Sequence, residues 1–190
     1  MEFILLGCLG FGLLFVSDMC GLKGKCRFQN LLAFSGTFFV FISSVIILMG
    51  GTDYNLSLTV RLLSGFFALG FLLLLIYSVV FEVRAPKDSN KPGDKPELVT
   101  TGTYALSRHP GVIWFLFYYV FGSLFFMNSE ILIAGIIWSS INVVYVLLQE
   151  RVVFHKLFEN YNTYSKDTPM IIPNIKSIKK CINTINGRKQ

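Results

Sequence analysis

Metal-binding spacing is missing from this sequence. Its four cysteines, Cys8, Cys20, Cys26 and Cys181, form no CxxC pair and have no histidine pair nearby, so no metal site is expected. The apolar stretches lack the strict alternation of barrel strands, which excludes a membrane β-barrel. The first stretch lacks both halves of a secretory signal: Glu2 stands where a basic region belongs, and no small-x-small cleavage site follows. It reads as a retained helix. Despite a net charge of +6, no soluble basic surface bearing aromatics is large enough to grip nucleic acid, which is not an expected partner.

What the chain has in abundance is apolar surface. Of 190 residues 53% are hydrophobic and 19 are Phe, more than one soluble core can bury, so a bilayer must take up the excess. Five stretches stand out: Phe3 to Val16, Phe28 to Gly50, Leu56 to Phe81, Val112 to Met127 and Ile131 to Leu148. Each is predicted as a helix, the first and fourth being short for a span. The expected fold is all-α, a polytopic transmembrane bundle of about five spans.

Charge sets the expected orientation. Lys23, Lys25 and Arg27 follow the first stretch, Arg84, Lys87, Lys91, Lys95 and Arg108 lie between the third and fourth, and eight more basic residues follow the fifth. Only Arg61 lies near the other face, so sixteen of seventeen basic residues fall on one side. By the positive-inside rule the N-terminus is outside and the C-terminus cytoplasmic. Cys20, Cys26 and Cys181 then face a reducing compartment, where a disulfide is not expected.

The chain divides by composition. Residues 1–83 read as a three-helix scaffold almost without polar groups inside the membrane, with Gly7, Gly10, Gly12, Ser35 and Gly36 permitting close helix approach. Residues 84–190 carry the candidate chemistry. They begin with a loop, Arg84 to Thr101, broken by Pro86, Pro92, Gly93 and Pro96. After the fifth stretch, Glu150, Phe154, Leu157, Tyr161 and Tyr164 are spaced to line one side of a continuing helix. His155 reads as an exposed surface residue. Farther on, Ile175, Ile178, Ile182 and Ile185 share a face bordered by Lys176, Lys179 and Lys180, which suits an amphipathic helix on anionic headgroups; a solvated tail is the other reading.

Polar groups gather in two segments, TTGTYALSRHP (Thr100 to Pro110) and QERVVFHKLFENYNTY (Gln149 to Tyr164). A short external turn at Asn128 and Ser129 makes the fourth and fifth helices an antiparallel hairpin, which brings both segments to its cytoplasmic end. Ionisable residues at the mouth of a helical bundle point to a functional site, although basic residues at helix ends also serve as interfacial anchors.

The ordered set Gly102, Tyr104, Arg108, His109, Pro110, then Gln149 with Glu150, Tyr161 with Tyr164, and Pro169 with Pro173 resembles the isoprenylcysteine carboxyl methyltransferases and related membrane methyltransferases. The resemblance covers about Leu98 to Pro173. It implies an enzyme that uses S-adenosyl-L-methionine at the cytoplasmic end of the bundle, on a lipid-like or small apolar substrate entering from the membrane lipids. The acceptor could be the carboxylate of an isoprenylated cysteine, a thiol or an amine. The cofactor's amino-acid end would meet Glu150, Gln149 and His109 with Pro110 alongside, and its adenine would meet Leu98, Val99 and Tyr104. Arg108 is the expected catalytic residue together with Glu150, and Arg108, Tyr145 and Tyr161 would meet the substrate. Three positions depart from the family pattern. Val112 replaces a tyrosine, Gln149 replaces the first acid, and Tyr145 replaces the arginine associated with a substrate carboxylate, so the reaction class carries over more fully than the prenylcysteine substrate. An NADPH-dependent reductase of steroid or fatty-chain type shares the same C-terminal outline, but Gly111 to Tyr119 is uncharged. A non-enzymatic accessory protein that kept the fold is the third reading.

Overall fold

The structure is a computed structural model, and it describes residues 2–22, 27–82, 98–158 and 160–187. The basic residues Lys23 and Lys25, Cys26, and the proline-bearing stretch 83–97 expected as a loop fall outside these, as do residues 188–190.

Among the described residues the chain is helical and has no strands. Helix α1 spans Glu2–Leu22, α2 Gln29–Met49 and α3 Leu58–Ile76, the last continuing as a π-helical segment, Tyr77–Glu82. A single turn, α4, covers Thr103–Leu106. Helices α5 (Pro110–Phe126) and α6 (Ser129–Leu148) form the hairpin. A second π-helical segment, Gln149–Phe154, and the turn α7 (His155–Leu157) prolong α6. Helices α8 (Tyr161–Asp167) and α9 (Ile175–Gly187) complete the chain.

Four of these, Glu2–Gly21, Gln29–Met49, Leu58–Glu82 and Ser129–Leu157, are long and apolar enough to cross a membrane. Their outer faces carry exposed Leu5, Leu9, Phe34, Phe41, Leu62 and Phe66, which only lipid can cover at low cost. This is a membrane protein. At 17 residues α5 is shorter, reaching about 26 Å at ~1.5 Å per residue.

The first helix is longer than the sequence indicates, 21 residues instead of a stretch ending at Val16. It continues because its polar end finds partners: Ser17 donates to the Gln29 carbonyl at 2.9 Å, and Asp18 accepts from α6. The stripe from Glu150 to Tyr164 also differs from expectation, since it is not one helix. The chain is extended at Phe158 (φ −115°, ψ 123°) and restarts at Tyr161, whose ring turns back onto Phe154 at 5.4 Å.

In space α2 packs on α1, α1 on α6, α6 on α5, and α5 on α3, so the hairpin lies between the α1–α2 pair and α3. Close approach of α1 and α2 depends on Gly10 and Gly36, where an added Cβ would meet the other's carbonyl oxygen at 2.6 Å. Trp138 fills the centre, fully buried against Gly7, with its indole N–H donating to the Ile4 carbonyl at 2.9 Å. Gly12, grouped with these by sequence, faces open space.

The hairpin turn is tightly bonded. Met127 ends α5 in the left-handed conformation (φ 55°), and Asn128 then caps α6 by accepting from the Ile131 amide at 3.0 Å. Its amide nitrogen donates to the carbonyls of Ile47 (3.2 Å) and Gly51 (2.8 Å). Asp53 accepts from the Ser129 amide and hydroxyl. Arg61 donates to the Phe125 carbonyl at 2.9 Å, which places it at this end and away from Arg108.

Candidate functional site at the far end of the hairpin

At the opposite end from Asn128 the backbone does something side-chain patterns cannot announce. Residues 107–109 run alongside Pro169 and Met170. The Arg108 amide donates to the Pro169 carbonyl at 2.9 Å, and the His109 amide to the Met170 carbonyl at 3.1 Å. The Ser107 hydroxyl also donates to Met170, at 2.8 Å. His109 (φ −128°, ψ 63°) stands outside the helical region, as a residue preceding proline tends to, and Pro110 then opens α5. This strap holds Arg108 and His109 over the end of α6.

Glu150 meets them there. Arg108 Nη1 lies 2.9 Å from one carboxylate oxygen and His109 Nε2 lies 2.9 Å from the other. All three are largely buried, with side-chain exposures of 13%, 7% and 14% for Arg108, His109 and Glu150. The imidazole stacks on Phe154 (5.7 Å, 13° between planes), and the guanidinium lies over the Tyr161 ring at 6.0 Å. The π-helical segment Gln149–Phe154 changes the angular step of the helix where Glu150 and Phe154 must both face this cluster; such insertions recur at functional sites.

The cluster is incompletely satisfied. Arg108 Nε and the Tyr161 hydroxyl are buried without a hydrogen-bond partner, as is Thr168 Oγ1. Burial, with the adjacent Glu150 carboxylate adding to it, pushes the Tyr161 hydroxyl up, so it stays protonated at neutral pH.

Tyr104 borders the cluster through the backbone. The Tyr164 hydroxyl donates to the Tyr104 carbonyl at 2.7 Å, and the Tyr104 hydroxyl reaches the Ser78 carbonyl at 3.3 Å. Burial, with the charge of Glu82 adding to it, pushes the Tyr104 hydroxyl up to about 12. Glu82 is 1% exposed and accepts from the Thr103 amide at 3.0 Å and from its hydroxyl, tying the end of the third spanning helix to α4. The preceding Gly102 has φ 63°, a conformation open to glycine and costly for other residues. Leu98 and Val99 are half-buried in the non-helical chain leading to this turn. Pro110 is buried at the start of α5.

Tyr145 and Gln149 are placed elsewhere. Both donate to Asp18 Oδ2 on α1, each at 2.6 Å, and Gln149 Nε2 also lies 2.9 Å from the Tyr145 hydroxyl. The structure therefore brings together Arg108, His109, Glu150 and Tyr161, whereas Tyr145 and Gln149 form a second cluster that fastens α6 to α1. Asp18, Ser107 and Glu82 have site-building parts that sequence reasoning missed. Of these Asp18 and Glu82, carboxylates inside apolar helices, carry a signal that could have been read.

An apolar groove of about 510 Å³ begins beside the cluster. Val112, whose amide donates to the His109 carbonyl at 3.1 Å, lines it together with Leu116, Phe117, Ser139, Val143 and Ile172. Ile171 and Ile172, both lining it, follow the Pro169–Met170 strap directly, so one chain segment both holds the cluster and walls the groove. His155 is exposed, with its ring edge against Tyr161 at 5.0 Å. Among the described residues no group of three or more His, Cys, Asp or Glu side chains could hold a metal ion.

Comparison with family models, with curated proteins and with solved structures finds no match to this chain.

Proposed function

We propose that this chain is a multi-pass membrane enzyme of about five spans that transfers a methyl group from S-adenosyl-L-methionine to a lipid-like or small apolar acceptor, and that its site faces the cytoplasm. The observation carrying this reading is the juxtaposition of a buried, partly unsatisfied charged cluster with an apolar groove between α5 and α6. The residue pattern from Gly102 to Pro173 supports the same chemistry, and the one-sided placement of basic residues supports the orientation.

The residues fit the cofactor's amino-acid end. Arg108 Nε and the Tyr161 hydroxyl are donors lacking acceptors, suited to a carboxylate, and Glu150 is the anionic group an ammonium requires. Tyr104 and Phe154 offer aromatic walls. S-adenosyl-L-methionine bound there would supply an electrophilic methyl group. The chain's part is positional: His109 and Arg108 hold Glu150 in one rotamer, the strap and Tyr164 keep the cluster closed on the water side, and the groove aligns the acceptor's apolar body. A carboxylate acceptor needs no base; a thiol or amine acceptor loses its proton to water or to a nearby basic group.

Thermal unfolding of the purified protein tests this. S-adenosylhomocysteine should raise the midpoint, with Glu150→Gln losing at least about tenfold in apparent affinity. No shift with S-adenosylhomocysteine, or a shift with NADPH alone, would overturn the reading in favour of an accessory protein or a reductase.

A further inference from the structure

Helix α9 presents three faces. Ser177, Cys181 and Thr184 turn inward against α4: the Thr184 hydroxyl accepts from the Gly102 amide at 3.0 Å, and burial with the Glu82 charge pushes the Cys181 thiol up. Ile175, Ile178, Ile182 and Ile185 form a second stripe, all exposed, and Ile172 just before the helix is exposed on the chain leading into it. At about 100° per residue the isoleucines span roughly one quarter of the circumference, next to the inward face. Lys176, Lys179 and Lys180 occupy the remaining arc, and α9 contains no acidic residue.

Its height in the bundle is set by bonded neighbours. Thr184 bonds Gly102, the next residue Thr103 is bonded to Glu82, and Glu82 is the last described residue of a helix long and apolar enough to cross a membrane. An apolar stripe bordered by lysines is therefore held level with the last described turn of that apolar helix.

We infer that α9 is an interfacial anchor for an anionic membrane leaflet: its isoleucine stripe enters the acyl boundary, its lysines meet phosphate headgroups, and its inner face carries the Gly102–Thr103 turn with it. This inference stands apart from the methyl-transfer reading, because it concerns a surface outside the charged cluster and is read without turnover. It commits to lipid over a protein partner because unbroken positive charge complements an anionic leaflet, and because the stripe is held beside a helix long and apolar enough to cross a bilayer.

Hydrogen exchange on the full chain in lipid nanodiscs tests it. Exchange in Ile175–Gly187 should be about tenfold slower in phosphatidylcholine containing one third phosphatidylglycerol than in phosphatidylcholine alone. Combined Lys176→Gln, Lys179→Gln and Lys180→Gln should abolish the difference while α5 and α6 exchange unchanged. Slowing in α9 should be matched at Gly102–Leu106. Equal exchange of the wild-type helix in the two lipids, or a lipid difference that survives loss of the lysines, would overturn the proposal; the wild-type arm alone decides if the variant does not fold. Slowing confined to α9 would overturn its coupling to the turn.

Discussion

The two ends of the α5–α6 hairpin are both polar, and they are built on opposite terms. At the Asn128 end the buried polar side chain is fully engaged and its neighbours are bonded: Asn128 makes three side-chain hydrogen bonds, Asp53 receives Ser129, and Tyr54 donates to the Ser123 carbonyl at 2.8 Å. At the Glu150 end Arg108 Nε, the Tyr161 hydroxyl and Thr168 Oγ1 are buried and unpaired. A closed network stabilises the fold. A network with spare donors is the kind that a ligand completes, because unpaired buried groups cost stability until something bonds them.

The contrast can be broken most severely at Asn128. Asn128→Ala removes a helix cap and leaves the carbonyls of Ile47 and Gly51 without this donor, and should lower stability by about 3 kcal/mol in denaturant unfolding, leaving affinity for S-adenosylhomocysteine intact. Glu150→Gln should show the reverse weighting. Stability should fall by about 1–2 kcal/mol, since Arg108 can reach water by its long stem, while affinity measured by calorimetry falls at least about tenfold. Tyr161→Phe deletes a hydroxyl with nothing to bond; stability should stay within about 0.5 kcal/mol and affinity should fall about tenfold. The smallest effect is expected at Thr168→Val, which keeps the shape of another orphan and should leave unfolding within about 0.5 kcal/mol of wild type. A Tyr161→Phe loss of stability matching that of Asn128→Ala would erase the distinction between the ends.

The helices were legible because a membrane span is written in hydropathy, and each of the five apolar stretches lies within a helix or overlaps one closely. Boundaries were less so. Val16 looked like an end because Ser17 and Asp18 are polar, yet both are bonded within the bundle, by Gln29 and by Tyr145 with Gln149. Spacing brought Arg108, His109 and Glu150 to one end, since a tight turn fixes where a hairpin's far ends meet. It could not separate Gln149 from Glu150. Adjacent residues of a helix point in different directions, so one reaches Asp18 on α1 while the other reaches Arg108. The strap of 107–109 along 169–170 is mostly backbone, and backbone hydrogen bonds leave no trace in residue type. The break at Phe158 was hidden for a related reason: an aromatic residue in helical register gives no hint that Tyr161 will fold back onto Phe154.

In the proposed reading, the end with spare donors is where S-adenosyl-L-methionine binds. Ultraviolet cross-linking of the methyl-tritiated cofactor to the purified protein, followed by peptide mapping, addresses it directly. The account predicts label in residues 98–112 or 149–168, competed away by S-adenosylhomocysteine and lost in Glu150→Gln. Label confined to the Asn128 end, or none that S-adenosylhomocysteine displaces, would contradict it.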